Sequence, residues 1–221
     1  MPTSNPVAGY DCTAIGRTDR AGLQSIARQA GTIAKMTRSN VSRTSRAKVG
    51  GKAPLEPCVC CGIAPDPRGR PFSITFEQPD VIEQIEPELL DTWGGDPFLA
   101  IKNLGFFLRV ILPVKLSDGF AIDFGTWLEI DNEDFRTAWQ TWNFPEYKDL
   151  AIEGYMANEI APFDRFPHAL VKATVRELEQ VPYLTSSDNE VFTKLLSETW
   201  PHAEVLPHYA DLLKSEPPLP G

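Results

Sequence analysis

Residues 105–130 read "GFFLRVILPVKLSDGFAIDFGTWLEI", and the spacing of their apolar side chains decides the fold. Phe106, Leu108, Val110, Leu112 and Val114 recur with period two, and Phe120, Ile122, Phe124, Leu128 and Ile130 keep the same period. Side chains alternate between faces along a strand, so each set lines one face of an extended segment. Between them, "KLSDG" (115–119) has the composition of a hairpin loop ending in glycine. The stretch therefore predicts two antiparallel strands with one face turned to the core.

The period changes immediately afterwards. In "DNEDFRTAWQTW" (131–142), Phe135, Ala138, Trp139 and Trp142 fall at i, i+3, i+4 and i+7, the spacing of one helical face. Asp131 suits the N-cap, Glu133 and Asp134 suit the positive end of the helix dipole, and Pro145 ends the helix. Further out, "FSITF" (72–76), "LVKATVREL" (170–178) and "PYLTS" (182–186) read as strands. Segment 79–93 reads as partly helical and interrupted at Pro87. Asp188 is placed to cap a helix over 189–200, and a last amphipathic piece covers 203–214. Strands and helices do not alternate regularly. The predicted class is α+β, an antiparallel sheet of about five strands with packed helices.

The charge is divided unevenly. Residues 1–52 hold nine Lys/Arg against Asp11 and Asp19, a local +7. The remainder carries twelve basic and 28 acidic residues, a net −16 within a chain whose total is −9. The first part, rich in Ser, Thr, Arg and Gly, predicts a disordered basic extension over 1–53; a targeting arm and a nucleic-acid arm are the alternatives. An acidic α+β domain is expected over 54–214, followed by a frayed tail at 215–221. Such a body repels nucleic acid and favours a basic partner or plain solubility. No apolar run approaches the roughly 18 residues of a membrane span, and no secretory h-region opens the chain. The cysteine usage fits a reducing, cytoplasmic setting.

Three of the four cysteines lie in "PCVCCG" (57–62). Cys58 and Cys61, followed by Gly62, have the C-x-x-C-G spacing that lets one ion reach two thiolates. A structural zinc site needs four ligands. The candidates to complete it are His202 and His208, spaced H-x5-H, which gives a Cys58, Cys61, His202, His208 set. Cys60 is left aside, because adjacent side chains point apart in most backbones, and Cys12 belongs to the basic extension. A thioredoxin-like role lacks the long helix such a motif opens. A cysteine-bearing turn packed as ordinary apolar surface stays open as well. No cofactor is required by any motif, although zinc could bind.

No phosphate-binding loop and no nucleophile elbow is present, so the reading leans away from enzyme activity. Arg109, inside an apolar strand, is expected either to pair with Asp123 across the hairpin or to face solvent. The five tryptophans suit the core, with a binding surface built from Trp127, Trp142 and Arg109 as the alternative.

From Cys58 onward the order of motifs resembles a bacterial family known only as domain of unknown function 2199. The motifs that carry the likeness are "CVCCG" (58–62), "FFLRVILPV" (106–114), "FGTWLEI" (124–130), "NEDFRTAWQTW" (132–142) and "GYMANEIAPF" (154–163). They span most of 58–186. The family's Ser-Asp-x-Cys step looks like "GGDPF" here, with Asp96 kept and no cysteine, and its glycine after the strand arginine is Val110. The resemblance implies kinship of fold and no reaction. The sequence thus leads to a small non-catalytic protein that binds another macromolecule, in the manner of an immunity or inhibitor protein facing a basic partner. The alternative is a zinc-supported protein or metalloenzyme built on the cysteine turn.

Overall fold

The computed structural model describes residues 56–163 and 168–215. The expected basic extension at 1–53, with Cys12, and residues 216–221 of the expected tail lie outside the described residues. Nine strands carry the described part: β1 (Phe72–Thr75), β2 (Thr92–Gly95), β3 (Phe98–Ile101), β4 (Gly105–Leu116), β5 (Ala121–Ile130), β6 (Ala151–Met156), β7 (Leu170–Thr174), β8 (Tyr183–Ser187) and β9 (Thr199–Trp200). The helices are α1 (Asn132–Thr141), α2 (Glu190–Ser197), α3 (His202–Val205) and α4 (Ala210–Ser215).

The hairpin predicted from residues 105–130 is the spine. β4 and β5 pair antiparallel from Phe106↔Ile130 to Lys115↔Ala121. Their period-two apolar sets are buried in the main core, with Leu108, Val110, Leu112, Ile122, Phe124 and Leu128 fully enclosed. Burying each such side chain is worth about 1.5–3 kcal/mol against leaving it in water. The opposite face has its own smaller core, where Phe107 and Trp127 meet Ile82 and Ile101. Helix α1 starts as its sequence requires: the Asp131 side chain accepts from the Asp134 N–H at 2.7 Å. It lays Phe135, Trp139 and the following Trp142 against Trp93 and Phe98 in a run of tilted and edge-to-face contacts. Helix α2 is capped by Asn189, which accepts from Phe192 N–H at 3.0 Å, one residue beyond the expected Asp188.

The sheet departs from the expected antiparallel arrangement. It has nine strands and is mixed, and five of them close a ring: β4–β5, β5–β6, β6–β7 and β7–β8 are antiparallel, while β8 returns to β4 in parallel. Five is odd, so directions that alternate around a closed ring must clash once, and a parallel pair is unavoidable. Two more parallel pairings sit on the outer edges, β1 along β5 and β9 along β4. Alternating apolar residues look the same in parallel and antiparallel strands. The expected fifth strand therefore closes a barrel instead of ending a sheet.

One buried amide ties the ring to its flanking segment. Asn158, 1% exposed, accepts from Thr126 Oγ1 at 3.1 Å and from Trp127 N–H at 3.0 Å. It donates to the Gln78 carbonyl at 2.8 Å and to Asp80 Oδ1 at 2.7 Å. All four of its hydrogen-bonding positions are used, so the polar group is tolerated in the interior.

Candidate metal centre

The cysteine turn is a local product of its glycine. Gly62 takes a φ of 70°, the left-handed region that a side chain disfavours. Its N–H bonds back to the Cys58 carbonyl at 2.7 Å, and Cys58 N–H bonds to the Ile63 carbonyl at 2.9 Å. The chain curls within five residues, and the thiols of Cys58, Cys60 and Cys61 end on one side. They meet His202 there, and the four donor atoms lie within 4.8 Å of one another. Cys58 Sγ is 2.8 Å from Cys60 Sγ and 3.1 Å from His202 Nε2, and Cys60 Sγ is 3.2 Å from the same nitrogen. Cys61 is buried, Cys58 half-buried and Cys60 exposed.

The histidine is delivered by the barrel's spine. β9 runs parallel to the end of β4, pairing Lys115 with Thr199 and Leu116 with Trp200, and Ser117 N–H then bonds to the Trp200 carbonyl at 2.8 Å. Two residues later His202 opens α3, 7% exposed, its ring stacked on Phe120 at 4.6 Å between centroids. Its Nδ1 faces the β4–β5 hairpin loop, 2.8 Å from Ser117 Oγ and 3.1 Å from Asp118 Oδ2. Nε2 is thereby turned towards the thiols.

The thiols share charge unequally. Hydrogen bonding from the Cys60 thiol, then from His202, brings the Cys58 thiol down to about 6. The same bond holds the Cys60 proton and pushes that thiol up to about 11. One thiolate beside one thiol is a nucleophile or half of a metal-binding pair.

Three sulfurs and one imidazole nitrogen are the donor types of a Cys3His zinc site. At Zn–S of about 2.3 Å and Zn–N of about 2.0 Å, tetrahedral donors sit roughly 3.5–3.8 Å apart. The group reaches that shell when its short edges open and its long ones, up to 4.8 Å, close, each by about 1 Å or less.

The sequence-predicted residues are distributed as follows. Cys58, Cys61 and His202 converge, and Cys60 stands where His208 was expected. Val205, Leu206 and Tyr209 turn inward to the core, which leaves His208 exposed between them and outside the group. Arg109 and Trp127, expected either in the core or on a binding surface, are enclosed, at 7% and 2% exposure. Arg109 donates through Nε to Asp96 and through Nη1 to the carbonyls of Phe76 (2.7 Å) and Gly125 (3.2 Å), with Trp127 stacked against its guanidinium. The expected Arg109–Asp123 pair is absent, since Asp123 lies opposite Pro113 and Arg109 opposite Trp127. Burial raises the Asp123 carboxyl, with Arg176 acting in the other direction. Trp142 is half-buried against Phe98 and Tyr147. Sequence reasoning passed over Cys60, Ser117 and Asp118. The loop pair had no signal beyond being turn residues, and Cys60 converges because a tight turn breaks the rule that neighbours diverge.

Among the described residues no helix is long and apolar enough to cross a membrane. A family model described as an uncharacterized protein conserved in bacteria, DUF2199, matches residues 57–195. That segment holds the three cysteines and the hairpin loop but stops short of His202. No curated protein and no solved structure matches the chain.

Proposed function

We propose, from the premise that this chain belongs to the DUF2199 family, that it is a zinc-supported binding protein with no catalysis at its metal. Cys58, Cys60, Cys61 and His202 would hold one ion. The observation that carries this is the convergence of four soft or borderline donors from positions 58–61 and 202. Four protein ligands complete a tetrahedral shell and leave no open position for substrate or water, which is the pattern of a structural site. The ion would then act as a staple between the cysteine turn and the segment after β9. Elemental analysis of protein produced with added zinc tests it, with one zinc per chain expected and a lower melting temperature after chelation. Well under one equivalent of metal, together with a melting curve indifferent to chelator, would sink the reading.

A second reading concerns what the supported body binds. Glu77, Glu83, Glu86 and Glu88 are exposed, and none forms an ion pair among the described residues; Leu89 beside them is 76% exposed. These exposed glutamates over 77–88, with Leu89 at their end, favour a basic protein partner, which such charge would attract at long range. Capture of a basic protein at low salt, lost when Glu83, Glu86 and Glu88 become glutamine, is the expected outcome. Equal capture by the triple variant counts against it.

A further inference from the structure

Resting on the metal reading above, we infer that Ser117 and Asp118, in the hairpin loop between β4 and β5, are the positioning residues that make His202 a ligand through Nε2. The hydrogen-bonding inventory of the serine is closed. Ser117 Oγ lies 3.2 Å from His202 N–H and 2.8 Å from His202 Nδ1, and it donates its own proton to Asp118 Oδ2 at 3.0 Å. A hydroxyl has one proton to give and two lone pairs to receive. With its proton committed to the carboxylate, the hydroxyl can only accept from the ring. Nδ1 therefore keeps a proton whatever Nε2 binds, and Nε2, 3.1 and 3.2 Å from the thiols, is the nitrogen that an ion would reach. Asp118 Oδ2, 3.1 Å from Nδ1, supplies a negative charge on the same side. A ligating histidine is commonly held in this way, with its second nitrogen bonded to a carboxylate or hydroxyl that fixes the ring and raises its basicity.

The loop is built for the task by its backbone. Asp118 has a φ of 57° and Gly119 a φ of 78°, so the chain turns left-handed at two successive positions. That turn lets Ser117 and Asp118 reach one imidazole nitrogen together. Phe120, next along, stacks on the ring and blocks its rotation. The loop and the histidine are 85 residues apart in sequence, and the β4–β9 pairing registers them.

The test measures zinc affinity of the full chain by competition with a chromophoric chelator, for wild type, Asp118→Gly, Asp118→Asn, Ser117→Ala and Ser117→Thr. Glycine removes the carboxylate without straining the left-handed backbone, and threonine keeps the hydroxyl. Asp118→Gly and Ser117→Ala should each weaken zinc by about tenfold or more, with the stoichiometry still one per chain. Asp118→Asn should fall between, and Ser117→Thr should stay close to wild type. Imidazole nitrogen shifts in the zinc-loaded wild type should show Nε2 on the metal and a proton on Nδ1. Affinities of Asp118→Gly and Ser117→Ala within about twofold of wild type, or ligation through Nδ1, would overturn the loop's role while the metal centre stands. A wild-type chain that takes up no zinc would overturn the metal reading and this inference with it.

Discussion

Two thiols one residue apart divide a single proton between them. In the metal-free chain, Cys58 has its pKa near 6 because Cys60 and His202 hydrogen-bond to its thiolate, and Cys60 near 11 because its proton is held in that bond. The thiolate is the reactive form, so alkylation of Cys58 reports its ionisation. Its rate in the metal-free protein should rise with pH through a midpoint near 6 and level off above it, as followed by mass spectrometry with iodoacetamide. Cys60→Ala removes the largest cause and should move that midpoint up towards the ordinary thiol value of 9. A midpoint that stays near 9 in the unsubstituted chain would contradict the proton sharing. Zinc should slow alkylation of Cys58 wherever the site stays loaded, because the ion draws off the sulfur's negative charge, and that protection should fade at low pH as protons compete for the thiolates. Buried polar residues behave differently. Asn158 has all its polar positions occupied by internal partners, and Arg109, 7% exposed, spends Nε and Nη1 on Asp96 and two backbone carbonyls, so both serve the interior.

Among the elements, β4 and β5 are long enough to host several neighbours in succession. The outer edge of β4 serves β3, then β8, then β9, and that of β5 serves β1 and then β6. Ring closure between β5 and β6 rests on two register pairs, Leu128↔Met156 and Glu129↔Tyr155. Gly154 sits beside that seam. A Cβ there would lie 2.5 Å from the Glu129 carbonyl oxygen and 2.7 Å from Ile130 Cγ2. The carbonyl belongs to the strand and cannot swing away, so Gly154→Ala must push β6 off β5. A loss of about 1–3 kcal/mol is expected from the urea midpoint, the range of an overpacked core site. Gly125→Ala is the comparison, since its nearest neighbour is the Thr75 side chain at 3.2 Å, which can turn aside. A variant at 154 as stable as wild type would show that the seam has slack.

On the scale of the whole molecule, the proposed staple joins residues far apart in sequence around a barrel that has its own core. The main cluster draws most of its residues from β4 to β8 and is joined by Cys61 and Ile63 from the cysteine turn and by Val205, Leu206 and Tyr209 from the late segment, while the Cys58 and Cys60 thiols meet the His202 ring beside the hairpin loop. Local stability should follow that division. Hydrogen exchange after chelation should lose protection at 58–63 and 199–213, while the amides of β4 and β5 keep theirs. Uniform loss across the barrel would mean that the ion supports the entire fold, and no change anywhere would mean that it supports nothing.

What could be read from the chain directly was local. The β4–β5 hairpin and the amphipathic face and Asp131 cap of α1 depend on residues a few positions apart, whose periodicity and capping chemistry act before any distant contact forms. Cys58, Cys61 and His202 were legible as donor types but not as neighbours, for the thiol of Cys58 and the ring of His202 are separated by 144 positions. Tertiary structure alone decided the parallel closure of β8 on β4, the exchange of His208 for Cys60, and the use of a hairpin loop to orient a histidine. Each depends on where strands meet around a closed ring, and no short-range pattern encodes that meeting.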